Sequence, residues 1–315
     1  MSNTIPTPEN PGAFNWFLIC FLGVIWGSAF MSISVALQEY PPFTLAALRV
    51  FFGAIVLCIM GVIMGQPITR IHQTAGLSGW GYSAVIGFIT VTAPFLLLCW
   101  GIQYVPSAFA GVAMGAIPLI ILPLAYIFSP EEGIGPRRII GVVLGFAGLA
   151  LLLGKGALET TSAQTFWGQL ACLAAAACYA VGSIITRRAP RIPPVAFASG
   201  TLAVGAAMLI PFAIIAEGMP RFSWSFETLT VFYLAALPTG LAAAIRVIVV
   251  QSAGSVFMSL TSYQVPIWSA VFGIVLLGEA LSAQLFIALA LILLGIGISQ
   301  WRSLVLVAQS IRSKK

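Results

Sequence analysis

The chain has 315 residues, of which 60% are hydrophobic and 7% charged, and its mean hydropathy is +1.06. A soluble domain carries about 25% charged residues, so this composition excludes a water-coated globule and places the chain in a lipid bilayer. The net charge of +6 does not point to nucleic acid, because the basic residues form no patch and lie mostly in loops or at the rims of apolar runs.

In chain order, residues 1–13 carry Pro6, Pro8 and Pro11 and read as a short disordered cytoplasmic tail. No Lys or Arg occurs in the first 48 residues, and the apolar stretch from Phe14 to Leu37 is too long for the h-region of a signal peptide. Apolar runs between polar breaks then predict ten spans, at 14–36, 42–63, 77–103, 106–128, 135–154, 165–186, 194–216, 228–251, 255–277 and 282–301. Each approaches the roughly 20 residues that a bilayer crossing needs. The tightest connections are Tyr104-Val105, between the third and fourth spans, and Ser252-Ala253-Gly254, between the eighth and ninth. A basic cytoplasmic tail follows over 304–315.

Of the 14 basic residues, Arg49 and Arg246 fall well within spans, Arg137 and Arg138 sit at the cytoplasmic rim of the fifth, and only Lys155 and Arg221 fall outside when the N-terminus is cytoplasmic. The positive-inside rule therefore puts both termini in the cytoplasm. An internal repeat is also visible. Tyr40-Pro41-Pro42-Phe43 recurs as Ile192-Pro193-Pro194-Val195, Pro118 as Pro266, Glu132 as Glu279 and Gly148 as Gly295. An odd number of spans per repeat inverts the second copy. The expected fold is an all-α integral membrane protein with ten transmembrane helices in two inverted five-helix repeats, 14–154 and 165–303. Such repeats recur in secondary transporters, with the site near the midplane.

These residues resemble the drug/metabolite transporter superfamily, and its EamA-like members in particular. Trp26-Gly27-Ser28-Ala29-Phe30 is similar to the family's first-helix signature, and Ala47-Leu48-Arg49-Val50-Phe51-Phe52 to its second-helix pattern. Tyr104-Val105-Pro106-Ser107-Ala108 with Pro118 and Glu132 resembles its third-to-fourth hairpin, and Gly278-Glu279-Ala280-Leu281-Ser282 its closing motif. Pro130-Glu131-Glu132-Gly133 departs from that motif in the first half. The resemblance covers nearly the whole chain. It implies a multi-pass carrier of the cell inner membrane with a central cavity, most often an exporter of amino acids, metabolites or drugs; cargo and direction do not follow from the fold.

Arg246 is the first candidate for substrate contact, because a charge within a span costs about 2.5–3.5 kcal/mol. It shares a predicted helical face with Thr239, Ala242 and Ala243, and its guanidinium suits a substrate carboxylate or phosphate. The competing reading is snorkelling, since it falls about five residues from the predicted span end. Arg49 is read as structural or as a gate near the outer surface. Ser255, Ser259, Ser262, Pro266 and Ser269 form a predicted polar stripe on the ninth span, flanked by Tyr263 and Gln264. Trp26, Phe95, Trp100, Tyr179, Tyr263 and Trp268 are the aromatic candidates for a cavity wall. Within this set the expected substrate-binding residues are Trp26, Phe95, Trp100, Tyr179, Arg246, Ser262, Tyr263 and Gln264.

Cys20, Cys58, Cys99, Cys172 and Cys178 all lie in apolar runs with neither metal-site nor disulfide spacing, and no cofactor or metal is expected. Gly141, Gly145 and Gly148 form a small-residue face, read first as internal packing and second as a homodimer contact. The chain has no Asp, and its single His72 falls in a loop. Facilitated or exchange transport, or coupling at a boundary Glu (Glu131, Glu132 or Glu279), is expected over a buried carboxylate relay. An enzyme would need clustered acids, bases or metal ligands, an ATP-driven pump a phosphate loop, and an ion channel a ring of charges. None is present in the sequence.

Overall fold

Three helices open on proline, whose fixed φ and missing N–H suit a first turn. They are α2 (Pro42–Ile63), α7 (Pro136–Leu153) and α9 (Pro194–Glu217). The computed structural model describes residues 12–128, 136–153, 162–186 and 188–299, with 301 and 305, and all regular structure among these residues is helical. The remaining elements are α1 (Gly12–Ala36), α3 (Arg70–Gly87), a π-helical turn π1 (Phe88–Thr92), α4 (Ala93–Gly101), α5 (Ser107–Ala113) and α6 (Ala116–Phe128). After α7 come α8 (Ala163–Thr186), α10 (Phe226–Leu234), a second π-helical turn π2 (Ala235–Leu241), α11 (Ala242–Met258), α12 (Thr261–Leu277) and α13 (Ala283–Ser299).

By length and composition, six helical stretches can cross a membrane: Gly12–Ala36, Pro42–Ile63, Arg70–Gly101, Ala163–Thr186, Pro194–Glu217 and Phe226–Val250. Ser107–Ile121, Ile139–Leu153, Thr261–Leu277 and Ala283–Ser299 are shorter apolar helices. The chain is a multi-pass membrane protein.

Several predicted boundaries move, each for a local reason. The third helix begins at Arg70 and bends at Gly76, whose φ of +56° favours glycine. The fourth is interrupted at Met114–Gly115. Pro118 has no N–H for the Met114 carbonyl and its ring crowds that turn; the Ile117 amide takes that carbonyl instead, at 3.1 Å. Ser252-Ala253-Gly254 is no connection: it lies inside α11, where the Ser252 hydroxyl donates back to the Ile248 carbonyl at 2.8 Å. The turn comes at Ser259–Leu260. The predicted serine stripe is therefore split, with Ser255 on α11 and Ser262, Pro266 and Ser269 on α12. Glu131, Glu132, Lys155 and Arg187 lie outside the described residues.

Two faces of the bundle carry different polar seams. One, here the distal face, holds the α1–α2 turn, the end of α9, the start of α10 and the α12–α13 turn. There Glu217 accepts from the Phe43 and Thr44 amides (3.1 and 2.7 Å) and the Thr44 hydroxyl (2.8 Å). Glu279 accepts from the Ser107 and Ala108 amides (2.6 and 3.1 Å). A carboxylate thus meets the unsatisfied amides at the start of α2 and again at α5. Tyr40 and Thr228 hydroxyls bond at 2.6 Å, and Ser223 and Ser225 donate to Glu39. Those two hydroxyls, Ser223 first, hold the exposed Glu39 carboxyl below the usual carboxylate range.

At the opposite, terminal face, where α1 starts, neutral side chains join neighbouring helices. Gln66 accepts from the Val195 amide at the start of α9 (3.0 Å), and Ser252 Oγ lies 2.8 Å from Asn15 Oδ1. One core cluster runs the depth of the bundle, from Tyr40 near the distal face to Val195 near the terminal face, and a separate one joins the terminal half of α1 to α11. Near the distal face α5 packs on α12; α6 packs on α8, α7 and α13 instead. The glycine face of α7 is used within the chain. A Cβ on Gly141 would meet the Gly295 carbonyl of α13 at 2.5 Å, and one on Gly148 the Ala288 carbonyl at 3.0 Å.

Candidate functional site

Proline builds the site. Pro238 lies inside π2, so its missing N–H leaves the Leu234 carbonyl without its ordinary helical donor. The Thr239 hydroxyl donates to that carbonyl at 2.8 Å. The ladder then slips by one residue, with the Ala242 amide reaching back to Leu237. The Pro238 carbonyl accepts instead from Trp26 Nε1 of α1 at 3.2 Å. The Thr239 oxygen has lone pairs remaining, and Arg49 Nε of α2 donates to it at 3.0 Å. Two residues from the first half of the chain thus converge on consecutive residues of one π turn in the second. Such turns recur at functional sites, and irregular backbone at membrane depth is tolerated where protein or a cavity surrounds it.

The second π turn is built alike. Pro94 follows π1, the Ala93 amide reaches back to Phe88, and the turn packs on α9 at Gly205, where a Cβ would lie 2.7 Å from Val91 Cγ1. The turn π2 packs on α2 at Gly53, where a Cβ would lie 2.7 Å from Thr239 Cγ2. Gly53 lies four residues after Arg49, on the same face of α2. The missing side chain lets π2 come close enough for the arginine to reach Thr239.

Arg49 is a charge held deep in the bundle. It lies seven residues inside α2, about 10 Å from the helix start at 1.5 Å per residue, and is 4% exposed. Its guanidinium carbon lies 4.2 Å from the centre of the Phe95 ring, and the ionisable groups within its field are Cys99 and Tyr179. Among the described residues, its hydrogen bonding ends at Thr239, and no carboxylate pairs with it. Beside this cluster the Ser28 and Tyr233 hydroxyls bond at 2.5 Å, tying α1 to α10.

Of the eight predicted residues, the structure brings Trp26 and Phe95 to this centre, and Tyr179 of α8 packs on the same core. Trp100 does not join them: it lies at the distal end of α4, its ring 5.1 Å from that of Tyr104. Ser262, Tyr263 and Gln264 open α12 near the terminal face. The Tyr263 hydroxyl is buried without a partner, and Gln264 packs on Gly23 of α1. Arg246 is exposed, and no described residue accepts a hydrogen bond from it. It lies 12 residues from the end of α11, about 18 Å of helix, rather than five from a span end. The face it was predicted to share with Thr239 is lost, because the intervening π turn breaks the 3.6-residue phase.

The sequence reading gave Thr239 only as a neighbour of Arg246 and Ser28 only as part of a motif, and did not single out Glu217 or Tyr233. The signal for Thr239 was the Pro238-Thr239-Gly240 run inside an apolar span, and for Glu217 its position at a predicted span end before Gly218.

The chain matches the model of the EamA-like transporter family twice, over residues 14–154 and 166–300. It is 27% identical over 283 residues, 87% of each chain, to a protein of Escherichia coli (strain K12) named as the uncharacterized inner membrane transporter YedA. It is 26% identical over 283 residues, 90% of this chain and 96% of the relative, to a protein of Ancylobacter novellus named as the aromatic amino acid exporter YddG. A solved crystal structure covering 94% of this chain superimposes with a TM-score of 0.65 at 24% identity, a likeness of fold.

Proposed function

This chain belongs to the EamA-like transporter family, and from that premise we propose that it exports a small amino-acid-like metabolite across the inner membrane by alternating access. In this reading ten helices form two inverted five-helix repeats, both termini are cytoplasmic, and the distal face is periplasmic. The observation that carries the reading is the convergence of Trp26 and Arg49 on π2, a polar and aromatic cluster at membrane depth between the halves. Phe95 and Tyr179 complete its walls. Ser262, Tyr263, Gln264 and Arg246 line the approach from the cytoplasm. Trp100 belongs to the periplasmic rim.

The seams supply the gates. Glu217 and Glu279 hold the periplasmic side closed by capping helices of the opposite repeat, while α6 and α12 part toward the cytoplasm. Opening to the periplasm breaks these caps and closes the cytoplasmic side. An aromatic amino acid exporter among the relatives is consistent with such walls.

The test is counterflow in proteoliposomes preloaded with single unlabelled amino acids. Preloaded vesicles should accumulate the matching labelled amino acid well above protein-free vesicles, with the largest signal for an aromatic or large aliphatic side chain. Uptake no greater than in protein-free vesicles across all twenty amino acids would sink the reading.

A further inference from the structure

Arg49 is a fixed cation in the apolar core of a membrane protein, and among the described residues it has no anion to match. Charges within spans ordinarily pair with one another or with backbone. A guanidinium has five N–H donors. Nε uses one on Thr239, at 3.0 Å, and the two Nη amines make no hydrogen bond to a described residue. Polar atoms wholly sealed without a partner do occur here, at Ser107 Oγ, Gln169 Oε1 and Tyr263 Oη, and neither Nη is among them. The amines therefore border the 4% of Arg49 that stays accessible.

Three features hold this fork in place. Thr239 anchors Nε and is itself tied to the Leu234 carbonyl at 2.8 Å. Phe95 covers the guanidinium carbon at 4.2 Å. Gly53 allows π2 to sit against α2 one turn away. A purely structural arginine would be expected to spend its Nη donors on carbonyls or a carboxylate, as buried charges do. This one keeps its bidentate edge unspent, and that edge matches a carboxylate.

We propose that the Nη edge of Arg49 is the seat of the substrate's carboxylate, so that this transporter recognises its cargo as a carboxylate anion with the remainder of the molecule against Phe95, Tyr179 and Trp26. The proposal rests on the central cluster being the substrate site and adds the ligand class to it. The recognised ligands carry a free carboxylate; the corresponding amides and decarboxylated amines are rejected. Lysine cannot replace the arginine fully, because an ammonium on a flexible stem lacks the planar fork.

The experiment is calorimetric binding to purified protein with L-phenylalanine, L-tryptophan and L-leucine, each against its amide and its decarboxylated amine, with sodium chloride as an inorganic control. The same titrations follow for Arg49→Gln and Arg49→Lys, with size-exclusion profiles to show that each variant is folded. Wild type should bind at least one acid tenfold or more tighter than its amide, Arg49→Gln should lose that preference, and Arg49→Lys should keep part of it. Equal affinity for acid and amide in wild type overturns this proposal alone and needs no variant. An acid preference that survives in folded Arg49→Gln, or displacement of the acid by chloride at equal concentration, also overturns it. Binding of none of the nine organic ligands overturns it together with the amino-acid reading on which it rests.

Discussion

Arg49 and Arg246 are the two charges that the sequence places well inside apolar spans, away from their rims, and the fold treats them in opposite ways. Arg49 is 4% exposed, bonded through Nε to a π turn from the other half of the chain and covered by an aromatic ring. Arg246 is exposed on α11, and no described residue accepts a hydrogen bond from it. Their sequence neighbourhoods rank them the other way. Arg246 has alanines and a threonine at helical spacing, whereas Arg49 is followed by Val50, Phe51 and Phe52. A charge's surroundings are set by what packs across from it, and at Arg49 that is Thr239, 190 residues away.

The largest test of this contrast removes the gap that brings the arginine to its partner. In Gly53→Leu the new side chain would meet Thr239 at 2.7 Å and the Ala235 carbonyl at 3.1 Å. Overpacking of this kind costs about 3 kcal/mol at the upper end of its usual range. The expected outcome is a large fall in melting temperature and in monodisperse yield, read by a thermal scan and size exclusion. A leucine in place of Ile59, an exposed position of α2, should leave both unaltered.

Thr239→Val comes next. It keeps the shape but removes both the acceptor for Arg49 and the donor to the Leu234 carbonyl. A hydrogen bond to a charged group contributes about 1.5–3 kcal/mol, so the variant should lose about 2 kcal/mol and Thr239→Ser should recover most of it. An unchanged melting temperature in Thr239→Val would mean that the π turn does not anchor the arginine.

Arg246→Gln should have a much smaller effect on stability, within about 0.5 kcal/mol, as for surface substitutions that break no packed contact. A loss as large as that of Thr239→Val would show that Arg246 has an anchoring role equal to that of Arg49, and the contrast would fail.

The smallest effect belongs to Glu39, an exposed acid outside the spans. Its carboxyl is held below the usual range by Ser223 and Ser225. A carboxyl depressed on folding adds stability above its unfolded pKa, and that stability is lost as pH falls through the folded value. Glu39→Gln should therefore lower the melting temperature slightly at neutral pH, with the difference from wild type vanishing as pH falls through the acid limb. A difference from wild type that persists undiminished at the acid end would contradict this assignment.

Sequence periodicity located the helical stretches because apolar runs of this length have few other solutions in a bilayer. It erred at 252–254 because Ser and Gly read as punctuation, although a serine can bond its own helix and stay within it. It placed Pro118 and Pro266 in matching positions, yet only Pro118 interrupts its helix; Pro266 lies within α12. It found Trp26, Phe95 and Tyr179 as aromatic candidates but could not separate them from Trp100. All four are aromatic residues in apolar runs, and only the packing of α4, α8 and π2 distinguishes centre from rim.

What the sequence determined by itself is the solvent of this protein and its helical character, because a chain with 7% charge has to satisfy its backbone internally. Short motifs around Trp26, Arg49, Pro106 and Glu279 also carried the likeness to the EamA-like family. The tertiary structure alone decided which arginine is buried. That outcome depends on a one-residue slip at Pro238, which turns Thr239 toward α2, and on a glycine in the facing helix that leaves room for it. Neither acts along its own helix; each has its effect only when two halves of the chain, far apart in sequence, are pressed together.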